Sequence, residues 1–347
     1  MFPLSRQVKI GVFLVVVISF VSVTFYGYQV FFAPNFLAQR YEPKMIYIYP
    51  NTDFKTLTDT LRAGEYVGDM ISFAFVSKVL GYQENIKAGA YEIQPAATNW
   101  DVVRMLKAGH QKPVKVVLNH ARLLPEVAEK ICQKLLLPSD SLLQALKNPT
   151  ITQKFGFDTL NIIGMFIPNT YQMYWTINAE TLMKRFHHEY KQFWNAERLA
   201  KADSLQLTPQ QVTVLASIVQ AETRMKDEMP TIAGVYLNRL RIKMPLQADP
   251  TLVFASGNFA AKRVTLDMKQ IDSPYNTYKY AGLPPGPINT PATTAIDAVL
   301  NYQKHNYLFF CAREDFSGYH NFAEDFATHL QFANTYREAL NKAQIFK

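Results

Sequence analysis

Glu222 closes a helix whose start is legible in the sequence. Thr208-Pro209-Gln210-Gln211 supplies an N-cap, a proline at the first helical position and a Gln at N3. Val212, Leu215, Ile218 and Val219 follow as an apolar stripe at helical spacing. At about 100° per residue, Glu222 falls about 20° from Leu215, on the buried face, while Gln220 falls about 140° away on the other side. A carboxyl buried without a fixed cation keeps its proton to higher pH. That is what a general acid working near neutrality needs. The competing reading is structural: in the last turn, Glu222 reaches solvent or pairs with Arg224.

The segments that follow have the chemistry of a polar groove. A helix over 231–242 carries Asn238, Arg239 and Arg241. Two polar–aromatic loops come next, Leu246-Gln247-Ala248-Asp249-Pro250-Thr251 and Ser273-Pro274-Tyr275-Asn276-Thr277-Tyr278, then a rigid one, Gly282-Leu283-Pro284-Pro285-Gly286-Pro287-Ile288. Such loops resemble the wall of a sugar site, where amides meet hydroxyl and acetamido groups and rings stack on pyranose faces. Ordinary turn chemistry uses the same residue types. His187 and His188 diverge by about 100° on a helix and cannot share a metal-binding face. Cys132 and Cys311 lack metal-ligand spacing and read as buried thiols. No metal or cofactor is expected.

These residues sit in a chain of 347, with 48% hydrophobic residues and a formal charge of +8. The charge suits an acidic polymer or an anionic membrane surface. Its scattered Lys and Arg form no block and match no nucleic-acid signature, so nucleic acid is not an expected partner. The 19 Tyr and 24 Phe are enough to line a sugar groove, although most such rings belong in cores. Residues 10–33 contain no Asp, Glu, Lys or Arg. About 20 residues of helix cross the ~30 Å hydrocarbon layer, and Tyr26, Tyr28, Phe31 and Phe32 sit where rings favour the lipid–water boundary. Phe31-Phe32-Ala33-Pro34 fits a signal-peptidase site badly, so an uncleaved anchor is expected. Arg6 and Lys9 before the run are nearly balanced by Arg40 and Lys44 after it; the long translocated domain favours the N-terminus inside.

Beyond the anchor, 34–44 reads as a linker. A strand over 45–49 precedes a helix over 54–61 capped by Asn51 or Thr52, and Asp69 opens another helix to about Leu80. Residues 90–94 read as a second strand. Thr98 and Asp101 cap a helix over 100–106 closed by Gly109, and 114–118 is a β-branched strand. The strand–helix–helix–strand order over 45–94 resembles a LysM module, a small glycan-holding fold; a generic α+β spacer has the same order. Residues 120–205 read as mostly helical, ending in a long helix over 179–204.

Five ordered motifs carry a more specific resemblance: Ala216-Ser217-Ile218-Val219-x-x-Glu222-Thr223, Leu237-Asn238-Arg239-Leu240, Leu246-Gln247-x-Asp249-Pro250-Thr251, Tyr275-Asn276-Thr277-Tyr278 and Gly282-Leu283-Pro284-Pro285-Gly286, with His320-x-Phe322 beyond them. Over roughly 210–322 the chain resembles the membrane-anchored endolytic murein transglycosylases, or YceG-like proteins. The resemblance implies that Glu222 is the catalytic residue and that the reaction is non-hydrolytic cleavage of the MurNAc-GlcNAc β-1,4 bond, leaving 1,6-anhydroMurNAc ends. Candidate substrate contacts are Asn238, Gln247, Asp249, Tyr275, Asn276 and Tyr278. Two departures stand out: Gln220 replaces a Glu common in the family, and Ile163 replaces the acid of a Glu-Gly-x-x-x-Pro-x-Thr motif.

The expected architecture is α+β. It comprises a cytoplasmic tail (1–9), a transmembrane helix (10–33), a linker (34–44), a LysM-like βααβ subdomain (45–110), and a mixed α/β catalytic domain with a helical insertion (111–347). The expected location is the cell inner membrane, single-pass, with the C-terminal domain in the periplasm. Expected partners are peptidoglycan glycan strands, the lipid bilayer and peptidoglycan synthases. Two other readings survive the residues themselves: a lysozyme-like hydrolase with Asp249 as second carboxylate, and a non-catalytic glycan-binding scaffold.

Overall fold

Ser5 caps the first helix, α1 (Arg6–Phe32), by accepting a hydrogen bond from the Val8 amide. The computed structural model describes residues 5–37, 41–261 and 263–344. Part of the expected tail (1–4) and part of the expected linker (38–40, including Arg40) lie outside the described residues. α1 has 27 residues and a mean hydropathy of 2.4 over its most apolar stretch, long and apolar enough to cross a membrane.

The chain divides into two compact units, Met1–Val114 with Gln172–Thr176, and Lys115–Tyr171 with Ile177–Lys347. In the first, α1 is followed by β1 (Pro34–Phe36), β2 (Lys44–Ile48), α2 (Phe54–Ala63), α3 (Met70–Val79), β3 (Gly89–Ile93), β4 (Ala97–Thr98) and α4 (Asn99–Ala108). β2 and β3 pair antiparallel from Lys44↔Ile93 to Ile48↔Gly89, and β1 pairs antiparallel with β4. The start of the expected linker is therefore a strand. Ile46, Ile48, Leu61, Phe73, Tyr91 and Leu106 close the core, and Gly109, at φ 76°, ends α4 in the left-handed conformation that glycine adopts without strain.

Two details differ from the sequence reading. Asp53, not Asn51 or Thr52, caps α2: its carboxylate accepts from the Thr56 amide, while Thr52 Oγ1 donates back to the Tyr49 carbonyl and Asn51 has φ 62°. The end of the apolar run also packs partly against protein. Val30 is buried in the unit's core, and Asn99 Nδ2 donates to its carbonyl at 2.8 Å. Asn35 donates to Asn99 Oδ1 at 2.7 Å, and Asn99 donates to Ser72 Oγ at 3.0 Å. Buried amides satisfied in this way fix the end of α1 against β1, α3 and α4.

The second unit carries all of β5 (Val114–Leu118) but its first residue, α5 (Leu124–Cys132), α6 (Ser139–Leu146), α7 (Pro149–Thr152), the first three residues of β6 (Asn169–Met173), α8 (Ala179–Phe193), α9 (Ala196–Ser204), α10 (Pro209–Glu222), α11 (Met229–Arg241), α12 (Asp249–Ser256), α13 (Leu266–Gln270) and α14 (Thr293–Leu300). The hairpin β7 (Phe309–Ala312) and β8 (His320–Ala323) and the helix α15 (Phe326–Lys342) follow. The expected helix over 179–204 is two helices, because Asn195 accepts from the Arg198 amide and starts α9 afresh. Cys132 is buried and Cys311, on β7, only half-buried.

α10 is the axis of this unit. Its capping box is complete: Gln211 N donates to Thr208 Oγ1 at 3.2 Å, and Thr208 N donates to Gln211 Oε1 at 2.9 Å. All residues from Val212 to Val219 are buried, so the expected stripe is a helix buried all round, as a central helix must be. α11, α12 and α14 pack on it.

Candidate active site

α10 delivers Glu222 as its last residue. Thr223 is extended (φ −138°, ψ 148°) and its hydroxyl accepts from the Met225 amide, so the chain turns away and leaves the carboxyl at the helix end. A helix C-terminus carries partial negative charge, which disfavours a carboxylate there. Glu222 Oε1 accepts a 2.6 Å hydrogen bond from the hydroxyl of Tyr236, itself buried on α11. Arg239, one turn further along α11, cannot neutralise Glu222 outright. Its guanidinium donates to the carbonyls of Leu308 (2.6 Å) and Leu246 (2.6 Å). The competing structural reading, in which Glu222 pairs with Arg224, is not what forms: the carboxyl bonds to Tyr236 instead.

Despite these contacts, the site pushes Glu222 up from 4.5 to about 7. Burial is the largest cause; the nearby Asp249 charge adds to it, while the Tyr236 hydrogen bond and Arg239 oppose it. The group can therefore give and recover a proton near neutral pH, the requirement for one carboxyl to act as both acid and base.

Glu222 opens on a cavity of about 730 Å³. Its walls include Asp249, Phe254, Phe259, Ile288 and Asn289, with Arg122, Arg224 and Arg263 supplying positive charge. The Arg122 guanidinium lies 5.2 Å from the centre of the Phe259 ring. The 286–292 loop is clamped to α10. Ser217 Oγ accepts from the Ile288 amide, the Ser217 carbonyl accepts from Asn289 Nδ2, and Gln220 Oε1 accepts from the Ala292 amide at 2.6 Å. Gly286 is required for the close approach behind it: a Cβ there would lie 2.2 Å from the Leu160 carbonyl oxygen.

Among the sequence candidates, the structure brings Asp249 to the cavity with Glu222. Tyr278 donates to Asp249 Oδ1 at 2.5 Å, and its ring lies 4.7 Å from Lys269 Nζ. Tyr275 packs its ring 4.7 Å from Phe254, a cavity-wall residue, and burial pushes its hydroxyl up to about 12. Gln247 is exposed, with its backbone in the left-handed region and its amide donating to the Thr277 carbonyl. The two asparagines are used differently. Asn276 is fully buried, and its Nδ2 donates to the carbonyls of Lys269 and Ile271. Asn238 Nδ2 donates to the carbonyls of His305 and Tyr307. Both amides build the loops around the site instead of facing the cavity.

Gln220 corrects the helical-face argument. It lies away from Leu215 on α10, yet it lines the same cavity as Glu222, because the end of the helix projects into the cleft. Its Nε2 donates to Asn289 Oδ1 and meets His120 Nδ1 at 3.3 Å. Burial, with Arg122 and Lys130 nearby, holds His120 below the usual imidazole range. Ile163, the other departure, is buried in the core. The sequence reading missed Tyr236, His120, Arg122, Arg263, Phe254 and Phe259. Only Tyr236 left a signal: it lies three residues before Arg239, on the same face of α11.

A family model described as the YceG-like family matches residues 46–335. A Streptococcus pneumoniae (serotype 2, strain D39) protein called endolytic murein transglycosylase is 28% identical over 295 residues, 73% of this chain and 51% of the relative. A Bacillus subtilis (strain 168) protein of the same name is 43% identical over 101 residues, 29% of this chain and 28% of that protein. The chain thus spans about half the length of the streptococcal relative it matches. A crystal structure of a yceG-like protein from Listeria monocytogenes superposes with a TM-score of 0.55 at 25% identity, covering 84% of this chain and 98% of that one.

Proposed function

The chain belongs to the YceG-like family, and on that premise we propose that it is an endolytic peptidoglycan lytic transglycosylase in which Glu222 is the one catalytic carboxyl. The observation that carries this is Glu222 itself, held at the end of a buried helix with its proton retained to about pH 7 and facing a large polar cavity. The protonated carboxyl gives its proton to the glycosidic oxygen as the bond from C1 of N-acetylmuramic acid breaks. The resulting carboxylate then takes the proton of the muramic 6-hydroxyl, whose oxygen closes on C1. The product is a 1,6-anhydro end, and Glu222 is returned protonated. Because the nucleophile is internal to the sugar, a second carboxylate is not needed.

The arginines Arg122, Arg224 and Arg263 suit the carboxylates of muramic acid and its peptide, and Phe254 and Phe259 offer ring faces to sugars. Asp249, in the cavity wall, Tyr278, bonded to it, and Tyr275, packed on Phe254, support the proposal of these three as substrate contacts. In this reading α1 holds the protein in the inner membrane with the second unit in the periplasm. The LysM-like 45–110 region retains glycan, and cleavage beside peptidoglycan synthases terminates nascent strands. Asp249 in the same cavity favours a second reading, lysozyme-like hydrolysis. Digestion of purified glycan strands with the full chain separates the two. Transglycosylation leaves anhydro ends inert to borohydride; hydrolysis leaves reducible ends, and finding those would replace this reading.

A further inference from the structure

We infer that the outer face of α3, formed by Ile71, Phe75 and Val79, is seated in the surface layer of the same bilayer that α1 crosses, so that the first unit rests on the membrane rather than hanging from it. The inference rests on reading α1 as a membrane anchor. The three residues are spaced four apart and fall within about 80° of one helix face. They are 80%, 53% and 56% exposed, an apolar stripe opposite the buried Phe73, Val76 and Ser77. At ten residues α3 is too short to span a bilayer, but it can lie at its surface.

Continuity with α1 identifies the occupant. Phe31, in the last turn of α1, has its ring 6.2 Å from that of Phe75 and 6.2 Å from that of Trp100, and Phe32 lies 5.8 Å from Trp100. The stripe therefore begins where α1 leaves the lipid. The Asn35–Ser72–Asn99 network, with its bond to the Val30 carbonyl, fixes this junction, so the stripe cannot swing away from the membrane. The border has interfacial chemistry. Arg104 sits 5.3 Å from the centre of the Trp100 ring, Lys78 is exposed three residues after Phe75, and Lys107 Nζ donates to the Leu80 carbonyl at the end of α3. Aromatic rings at the headgroup level, flanked by cations, suit an anionic lipid surface. The nearby acids are turned to capping: Asp69 accepts from the Ile71 and Ser72 amides, and Asp101 accepts from the Thr98 hydroxyl.

The test uses the full chain, with Cys132→Ser and Cys311→Ser, in nanodiscs of phosphatidylcholine and phosphatidylglycerol. Nitroxide labels are placed singly at Phe20→Cys in α1, Phe75→Cys and Val79→Cys on α3, and Lys55→Cys on the exposed side of α2. Accessibility to oxygen, which concentrates in lipid, is compared with accessibility to a water-soluble nickel chelate. The expected oxygen-to-nickel ratio at 75 and 79 is several times that at 55 and approaches the ratio at 20. A lipid-like value at 20 with water-like values at 75 and 79 overturns the inference while the anchor stands. Labels at 75 and 79 shielded from both reagents overturn it in favour of a protein partner. A water-like value at 20 removes the anchor reading and the inference with it.

Discussion

Replacing Glu222 by Gln should make the protein more stable above neutral pH and leave it unchanged in acid. Gln keeps the shape of the side chain and can still accept from the Tyr236 hydroxyl, but it has no proton to lose. In the wild type, the folded carboxyl holds its proton up to about pH 7, against an ordinary value of 4.5. Between those values the folded state binds more protons than the unfolded state, so stability falls as pH rises and the full penalty stands above pH 7. The rise corresponds to about 3 kcal/mol as a ceiling, and residual contact with water reduces it to about half that. Denaturant unfolding of both proteins in detergent, at pH 4 and at pH 8, measures it. The curves should coincide at pH 4, and the variant should be the more stable by about 1–3 kcal/mol at pH 8. Equal stabilities at both pH values would show that Glu222 titrates as an ordinary carboxyl, and the acid–base argument would fail.

Tyr236→Phe removes the hydrogen bond that opposes the rise in Glu222, so the basic limb of the pH–activity profile should move to higher pH; an unmoved limb would mean that Tyr236 does not reach the working carboxyl. Arg263→Ala should raise KM for peptide-bearing glycan more than for glycan stripped of peptides, and equal effects on both would remove it from substrate recognition. Thr208→Ala breaks the capping box of α10 and should cost about 0.5–2 kcal/mol in an unfolding titration. Gly286→Ala drives a methyl into the Leu160 carbonyl and should cost about 1–3 kcal/mol by the same titration, with little loss if the loop can shift freely.

The position of Glu222 was legible because a capped helix has a fixed register: Thr208 and Pro209 set the start, and fourteen residues later the buried face reaches the carboxyl. The two-helix order between β2 and β3 was legible for the same reason, through local caps such as Asp69. What could not be read was assembly across distance. His120 and Arg122 come from about 100 residues upstream of Glu222, with no motif to announce them. Asn238 and Asn276 show the opposite failure. An Asn beside a polar loop or within one reads as a ligand contact, but backbone carbonyls also need donors, and these amides, Asn238 on α11 and Asn276 in a loop, are spent on backbone. Gln220 shows the limit of a helical wheel, which describes faces along a helix and not the cleft that surrounds its end.

The central claim is that one carboxyl does the work of two. Its most direct measurement compares Glu222→Gln with Asp249→Asn on purified glycan strands, scoring the ends by mass spectrometry. With a single catalytic carboxyl, Asp249→Asn still produces 1,6-anhydro ends at a reduced rate, while Glu222→Gln loses about 10²–10⁴-fold or more of the activity. Anhydro ends formed at the wild-type rate by Glu222→Gln, or abolished equally by both substitutions, would contradict it.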